Sequence, residues 1–200
     1  GSLQTSRSSG YGNYSKLNSG TETITNSGTI TASGSSGMGI SSYANSGTLT
    51  ISNTSNDTIS TSGSSSHGIF LNANTGTATI TNSGTIQVTG SSAVGVTLDG
   101  GVTLNNSGTI SATGSATQAI DSTGTGNDTL NLLSGSSITG TVDLVGGTDT
   151  INISAQDING CATAACMSAT NTSFGATNVE NRNINGAAGT ISSSAAVTVE

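Results

Sequence analysis

The unit Thr-Ile-Thr-Asn-Ser-Gly-Thr-Ile and close variants of it recur along this chain, and that recurrence constrains the fold more than any other feature. Anchored on its first aliphatic residue, the unit returns at Ile24, Ile51, Ile80, Leu104, Leu130 and Ile151, with spacings of 27, 29, 24, 26 and 21 residues. Turns of variable length produce such a drift. A second aliphatic file follows at Ile30, Ile59, Ile86, Ile110 and Ile138, and a third at Ile40, Ile69, Val96 and Ile120. Small-residue stretches separate the second file from the third, as in Gly34-Ser-Ser-Gly37, Gly63-Ser-Ser-Ser66 and Gly90-Ser-Ser92, and these read as turns. Three short strands per repeat are implied.

A strand of this length buries only alternate side chains, so one repeat cannot enclose a core. Repeats stacked as coils bring each aliphatic file into register about 4.8 Å apart, and burial contributes roughly 1.5–3 kcal/mol per Ile or Leu. The expected fold is therefore all-β: a right-handed parallel β-helix with about 21 to 29 residues and three short strands per rung. Thr23, Thr50, Thr79, Thr103, Thr129 and Thr150 each precede the first file and are expected to form an outward Thr ladder. Asn26, Asn45, Asn82 and Asn106, each followed by Ser-Gly, are expected at turns, bonding their own backbone.

Composition alone suggests a flexible linker, with 29 Gly, 6% charged and 2% aromatic residues. The ordered aliphatic files and the absence of Pro argue instead for interior strands, whose N–H groups must all donate. A formal charge of −7, against only Arg7, Lys16 and Arg182, argues against nucleic acid as a partner. No apolar run approaches the roughly 18 residues of a membrane-spanning helix. Residues 1–17 are expected to be irregular, with Gly1-Ser2 an expression scar, and residues 18–200 to form the β-helix, with a Cys-containing loop near 157–175.

The Asn-Ser-Gly-Thr-Ile units, the stretch from Asp128-Thr-Leu-Asn-Leu to Ile138-Thr-Gly-Thr-Val142, and Gly147-Thr-Asp-Thr-Ile-Asn-Ile153 resemble the passenger regions of bacterial autotransporters. The resemblance covers roughly residues 18 to 200, with another rung typical of those passengers from Val179-Glu-Asn to Gly189-Thr-Ile. It implies a parallel β-helix carried through the outer membrane of a Gram-negative bacterium by a C-terminal β-barrel and displayed at the cell surface. No such barrel is evident in this segment, which is expected to be a passenger fragment touching the membrane only through it.

Catalytic machinery is hard to assemble from these residues. His67, the single histidine, lies in Ser64-Ser-Ser-His-Gly and reads as a solvated turn residue. No Gly-x-Ser-x-Gly elbow precedes a helix. A polysaccharide lyase would need converging basic residues, yet Arg7, Lys16 and Arg182 are far apart in sequence. Tyr11, Tyr14, Tyr43, Phe70 and Phe174, which a sugar-binding platform would use, show no alignment with the repeat phase. In an extracellular chain Cys161 and Cys166 are expected to close a local disulfide, with a redox motif or a metal site as the alternatives.

Asp128 and Asp149 each stand two residues before the first aliphatic file in adjacent repeats, and so are expected to stack. Like charges that close raise a pKa or recruit a cation. Gly124-Thr-Gly-Asn-Asp128-Thr-Leu is similar to a calcium-binding nonapeptide repeat, which makes calcium the alternative at Asp128 and Asp149 where otherwise no cofactor is expected. The expected function is non-enzymatic: an adhesin, aggregation surface or stalk meeting host or neighbouring-cell surface molecules, or other copies of itself. Two alternatives stand beside it. One is an ice-binding face on the arrays Thr23-x-Thr25, Thr50-x-Ser52, Thr79-x-Thr81 and Thr29-x-Thr31, Thr58-x-Ser60, Thr85-x-Gln87; the other is a polysaccharide-degrading enzyme.

Overall fold

The computed structural model describes residues 1–154 other than 17, 117 and 145, together with strand segments at 173–174, 181–185 and 192–193. All regular structure among these residues is β-strand. Sheet A stacks Ser2–Thr5, Thr29–Ala32, Thr58–Thr61, Thr85–Val88, Thr109–Ala112 and Ser137–Thr139. Sheet B stacks Tyr11–Lys16, Met38–Tyr43, His67–Asn72, Val94–Leu98, Gln118–Ser122 and Thr141–Asp143, then the short segments Ser173–Phe174 and Ser192–Ser193. Sheet C stacks Thr21–Asn26, Thr48–Asn53, Thr77–Asn82, Val102–Asn106, Thr129–Leu132, Thr150–Ser154 and Asn181–Asn185. Through residue 154 the chain visits A, B and C in turn, and every pairing among the described strands is parallel, so the fold is a three-sided parallel β-helix.

The register follows the repeat. Ile24, Ile51, Ile80, Leu104, Leu130 and Ile151 are successive partners in sheet C, as are Ile30, Ile59, Ile86, Ile110 and Ile138 in sheet A and Ile40, Ile69, Val96 and Ile120 in sheet B. All of these side chains are buried, and among the described residues the buried apolar core contains no aromatic side chain. A coil of this girth has room for one or two aliphatic side chains from each wall, which is why so aromatic-poor a sequence fills it.

Residues 1–17 correct the expectation of an irregular leader. Ser2–Thr5 pairs with Thr29–Ala32, and Tyr11–Lys16 with Met38–Tyr43, so the segment supplies two walls of the first turn. Its sequence lacks the Thr-aliphatic-Thr signature, yet backbone hydrogen bonds to the next turn need no particular side chain.

The asparagines also depart from expectation. Asn26, Asn53, Asn82 and Asn106 point into the coil at one corner, where each Nδ2 donates to the Oδ1 of the next at 2.8 Å. Asn106 ends the run on Ser136 Oγ at 2.6 Å. Asn45 belongs to a different corner, in a second ladder from Asn18 through Asn45 to Asn74 at 2.7 Å per step. The expected bonds to the local backbone are present too, from Asn26 to Gly28 O and from Asn106 to Gly108 O. An amide carries both a donor and an acceptor, so identical amides stacked one per turn satisfy one another without water.

Ile80 lies between Ile51 and Leu104 and is fully buried, while Thr79 and Thr81 beside it face outward. Ile80→Asp is expected to cost several kcal/mol by burying an unpaired carboxylate, whereas Thr79→Asp, its charge in water, costs well under half of that. Limited proteolysis should cut the Ile80 variant first between roughly residues 51 and 110, because each turn is supported only by its neighbours; early cutting in the Thr79 variant instead would reverse the assigned faces. Asn82→Ala is expected to cost about 1–3 kcal/mol for each bonding position it leaves empty, one N–H of Asn53 Nδ2, whose other N–H still donates to Thr85 O, and Asn106 Oδ1. Urea unfolding of that variant should show a clear loss, and an unchanged midpoint would mean that water replaces the ladder.

Candidate functional site

The outward surfaces of the coil divide by chemistry. On sheet C the column Thr23, Thr50, Thr79, Thr103, Thr129 and Thr150 is unbroken and in register, as expected. The neighbouring column starts with hydroxyls at Thr25, Ser52 and Thr81, then changes to amides at Asn105, Asn131 and Asn152. These amides form a third ladder, Asn131 donating to Asn105 at 2.7 Å and Asn152 to Asn131 at 2.8 Å. Sheet A carries Thr29, Thr58, Thr85 and Thr109 in one column and Thr31, Ser60, Gln87 and Ser111 in the next. Two of the three walls are thus lined by short polar groups at the spacing of the turns, about 4.8 Å.

Sheet B is different. Its strands contain Gly12, Gly39, Gly68 and Gly95, each with its Cβ position against the neighbouring turn's carbonyl and an Ile methyl of sheet A. A side chain there would collide, so only glycine lets the strand lie so close to the core. The alternation of faces slips at these positions: His67 and Phe70, three residues apart, share the outward face, while Ile69 and Leu71 are buried. His67 is therefore the first residue of a strand rather than a solvated turn residue. Its Nδ1 lies 2.8 Å from Thr97 Oγ1, its ring packs 4.7 Å from that of Phe70, and burial lowers its pKa to about 4. Tyr11, Tyr14, Tyr43 and Phe70, which show no phase in the sequence, gather on this wall through the same slip.

Asp128 and Asp149 do stack, and they point inward. They occupy the core column that earlier turns fill with Leu49, Ala78 and Val102. Asp128 Oδ1 accepts the Val102 N–H at 2.8 Å and its Oδ2 accepts the Ser122 hydroxyl at 2.6 Å. Asp149 Oδ1 accepts the Asp128 N–H at 2.8 Å, and its buried Oδ2 has no hydrogen-bond partner. Burial, more than the proximity of Asp149 and Asp99, pushes the Asp128 carboxyl up to about 6, and burial also raises Asp149. Both oxygens of Asp128 are thus engaged by the protein's own donors, and among the described residues no three His, Cys, Asp or Glu side chains are grouped to hold a metal. A second stacked pair, Asp121 and Asp143, joins the same two turns on the outer face of sheet B, and Asp121 is raised by burial and by Asp143.

Arg7 and Lys16 lie in the first turn, while the Arg182 backbone pairs with Ile151 at the far end of the stack, so the three cations do not converge. Cys161 and Cys166 lie outside the described residues. Comparison with protein-family models, with curated proteins and with solved structures gave no match.

The raised Asp128 pKa fixes the sign of a pH effect. Between the unfolded value of 3.8 and the folded value of about 6 the native state holds the extra proton, so this carboxyl's contribution declines as pH rises through that window. The full change is about 3 kcal/mol. His67, lowered to about 4, acts in the opposite sense, so the readout is the difference between wild type and Asp128→Asn. That variant keeps an acceptor for Val102 N–H without the charge; it should match wild type near pH 4 and exceed it in urea midpoint above pH 7. Equal midpoints across the range would show that Asp128 is not buried in this way.

Proposed function

We propose that this chain is a non-enzymatic rod from the passenger of a Gram-negative autotransporter, displayed outside the cell as an adhesive or aggregating surface. The observation that carries this reading is the columns of uncharged polar residues, Thr, Ser and Asn with Gln87 among them, on sheets A and C at one repeat per turn. Such a wall binds by many weak polar contacts acting together, to another cell's surface polymers or to a second rod, and no single residue dominates. The polar groups with unusual chemistry favour a non-catalytic role: Asp128 is spent on backbone and hydroxyl donors, and His67 is held neutral beside Phe70. The Asn-Ser-Gly-Thr-Ile units support the autotransporter assignment, and with it localisation at the outer-membrane surface.

The hydroxyl columns of sheets A and C also favour ice binding as a second reading, although the change to Asn105, Asn131 and Asn152 interrupts the lattice on sheet C.

Beads coated with the 200-residue chain should clump and should bind bacteria of the source population. Thr79→Ala alone should alter clumping less than about twofold, whereas replacing Thr50, Thr79 and Thr103 together by Lys should abolish it. Beads that neither clump nor bind cells would leave the rod without adhesive function, and thermal hysteresis from the soluble chain would favour the ice-binding reading.

A further inference from the structure

The sequence contains three tyrosines and two phenylalanines in 200 residues. All three tyrosines and Phe70 project from one wall, the outer face of sheet B, within the first three turns. Tyr11 and Tyr14 are 40% and 47% exposed, with ring centroids 4.7 Å apart, and Tyr43 on the next strand is 41% exposed. His67 and Phe70 repeat the spacing of Tyr11 and Tyr14 two turns along, in the same columns, because Tyr11 aligns with Met38 and then His67, and Tyr14 with Ser41 and then Phe70. Ser41, between Tyr14 and Phe70 in its column, is only 2% exposed, so neighbouring side chains close over it. Four of the five aromatic residues thus gather on one face at the surface, a patch unlike the rest of the polar exterior.

Charge is graded along the same wall. Lys16 is the register partner of Tyr43, and Arg7 lies in the turn leading to the Tyr11–Lys16 strand. The column of Tyr14, Ser41 and Phe70 then runs through Thr97 to Asp121 and Asp143. The face is therefore aromatic and cationic at its first turns and acidic at its last described ones.

We infer that the outer face of sheet B over the first three turns binds an acidic polysaccharide, with sugar rings against the Tyr11, Tyr14 and Tyr43 side chains and a uronate carboxylate paired with Lys16. An aromatic ring presents a flat apolar face to the C–H side of a pyranose, and tyrosine adds a hydroxyl for the sugar's own hydroxyls. The two ring pairs are two turns apart, about 9.6 Å, comparable to a disaccharide unit in an extended chain. A neutral glycan would use the rings alone. An acidic one also uses Lys16 and is kept from sliding along the wall by Asp121 and Asp143, and this charge match selects the acidic class. The inference deepens the adhesive reading by naming a ligand and a wall other than the Thr columns, and rests on that reading for its biological role.

The test is native affinity electrophoresis of the 200-residue chain in gels containing polygalacturonate or, separately, a soluble neutral β-glucan. Wild type should be retarded by polygalacturonate, more strongly than by the neutral glucan, and less as salt is raised. Tyr14→Ala combined with Tyr43→Ala should weaken the interaction by about tenfold or more, Tyr14→Phe with Tyr43→Phe should largely preserve it, and Lys16→Gln should remove the preference for the acidic polymer. These side chains are exposed, so the variants fold, and Leu133→Ala, at a 40% exposed position just after the Thr129–Leu132 strand, serves as a matched control. No retardation by polygalacturonate, retardation unchanged in the Tyr-to-Ala variant, or equal retardation by both polymers would each overturn the inference. The bead assay separates the two proposals: clumping without polygalacturonate binding refutes this site and leaves adhesion standing, and polygalacturonate binding without clumping or cell binding refutes adhesion alone.

Discussion

Each strand of this molecule hydrogen-bonds only to the equivalent strand of the turns before and after it, and everything else follows from that constraint. In a parallel in-register stack, whatever occupies one position meets its own repeat about 4.8 Å away. Self-complementary side chains are therefore favoured at every column. Ile on Ile excludes water, and Thr on Thr covers a strand face. Asn on Asn pairs a donor with an acceptor, as the run from Asn26 to Asn106 does inside the coil and Asn105 to Asn152 does outside it. Charge is the exception, since a carboxylate stacked on its own repeat repels itself, and this accounts for a chain that is only 6% charged.

That rule explains what was legible in the sequence. The aliphatic files and the Thr column were readable because they alternate with period two inside an obvious repeat, and their partners match residue for residue, from Ile24 to Ile151 and from Thr23 to Thr150. Three features escaped. Asn53 lacks the following Ser-Gly, so the buried ladder reads as separate turns, and the Ser-Gly that Asn45 shares with Asn26, Asn82 and Asn106 gives no sign that it belongs to a different ladder. The aromatic wall was hidden because Gly39, Gly68 and Gly95 shift the alternation by one, which places residues three apart on one face. The first two walls of the first turn, Ser2–Thr5 and Tyr11–Lys16, lack the repeat's side chains while keeping its backbone pairing. In each case the missing information was geometric: a strand's phase can be read from side chains only where the backbone keeps strict alternation.

Asp128 and Asp149 were found by their register, yet their meaning changed with direction. An outward pair would invite a cation. Facing inward, a carboxylate at a column start can accept the N–H of the preceding turn, as Asp128 does for Val102 and Asp149 for Asp128. The cost is desolvation, and it appears as raised carboxyl pKa values concentrated between two successive turns, where Asp121 and Asp143 add a second stacked pair. A proton resolves that conflict more simply than an ion does. It removes the repulsion and leaves the acceptor oxygen in place, so the cohesion of this part of the rod follows acidity.

The same logic bears on how a repetitive rod acquires specificity. Columns of identical residues give breadth, because every turn offers the same contact and sliding by one turn costs little. They cannot by themselves fix where a partner sits. A unique position requires residues that break the repeat, and in this chain those residues are not scattered. Tyr11, Tyr14, Tyr43 and Phe70 occupy one wall at one end, Asp121 and Asp143 occupy the same wall further along, and the Thr23-to-Thr150 column of sheet C runs past both without change. Departures on the other two walls exchange one uncharged polar group for another, as at Gln87 on sheet A and at Asn105, Asn131 and Asn152 on sheet C. The aromatic and acidic ones described above lie on sheet B, which separates a wall that sets position from two walls that supply repeated contact.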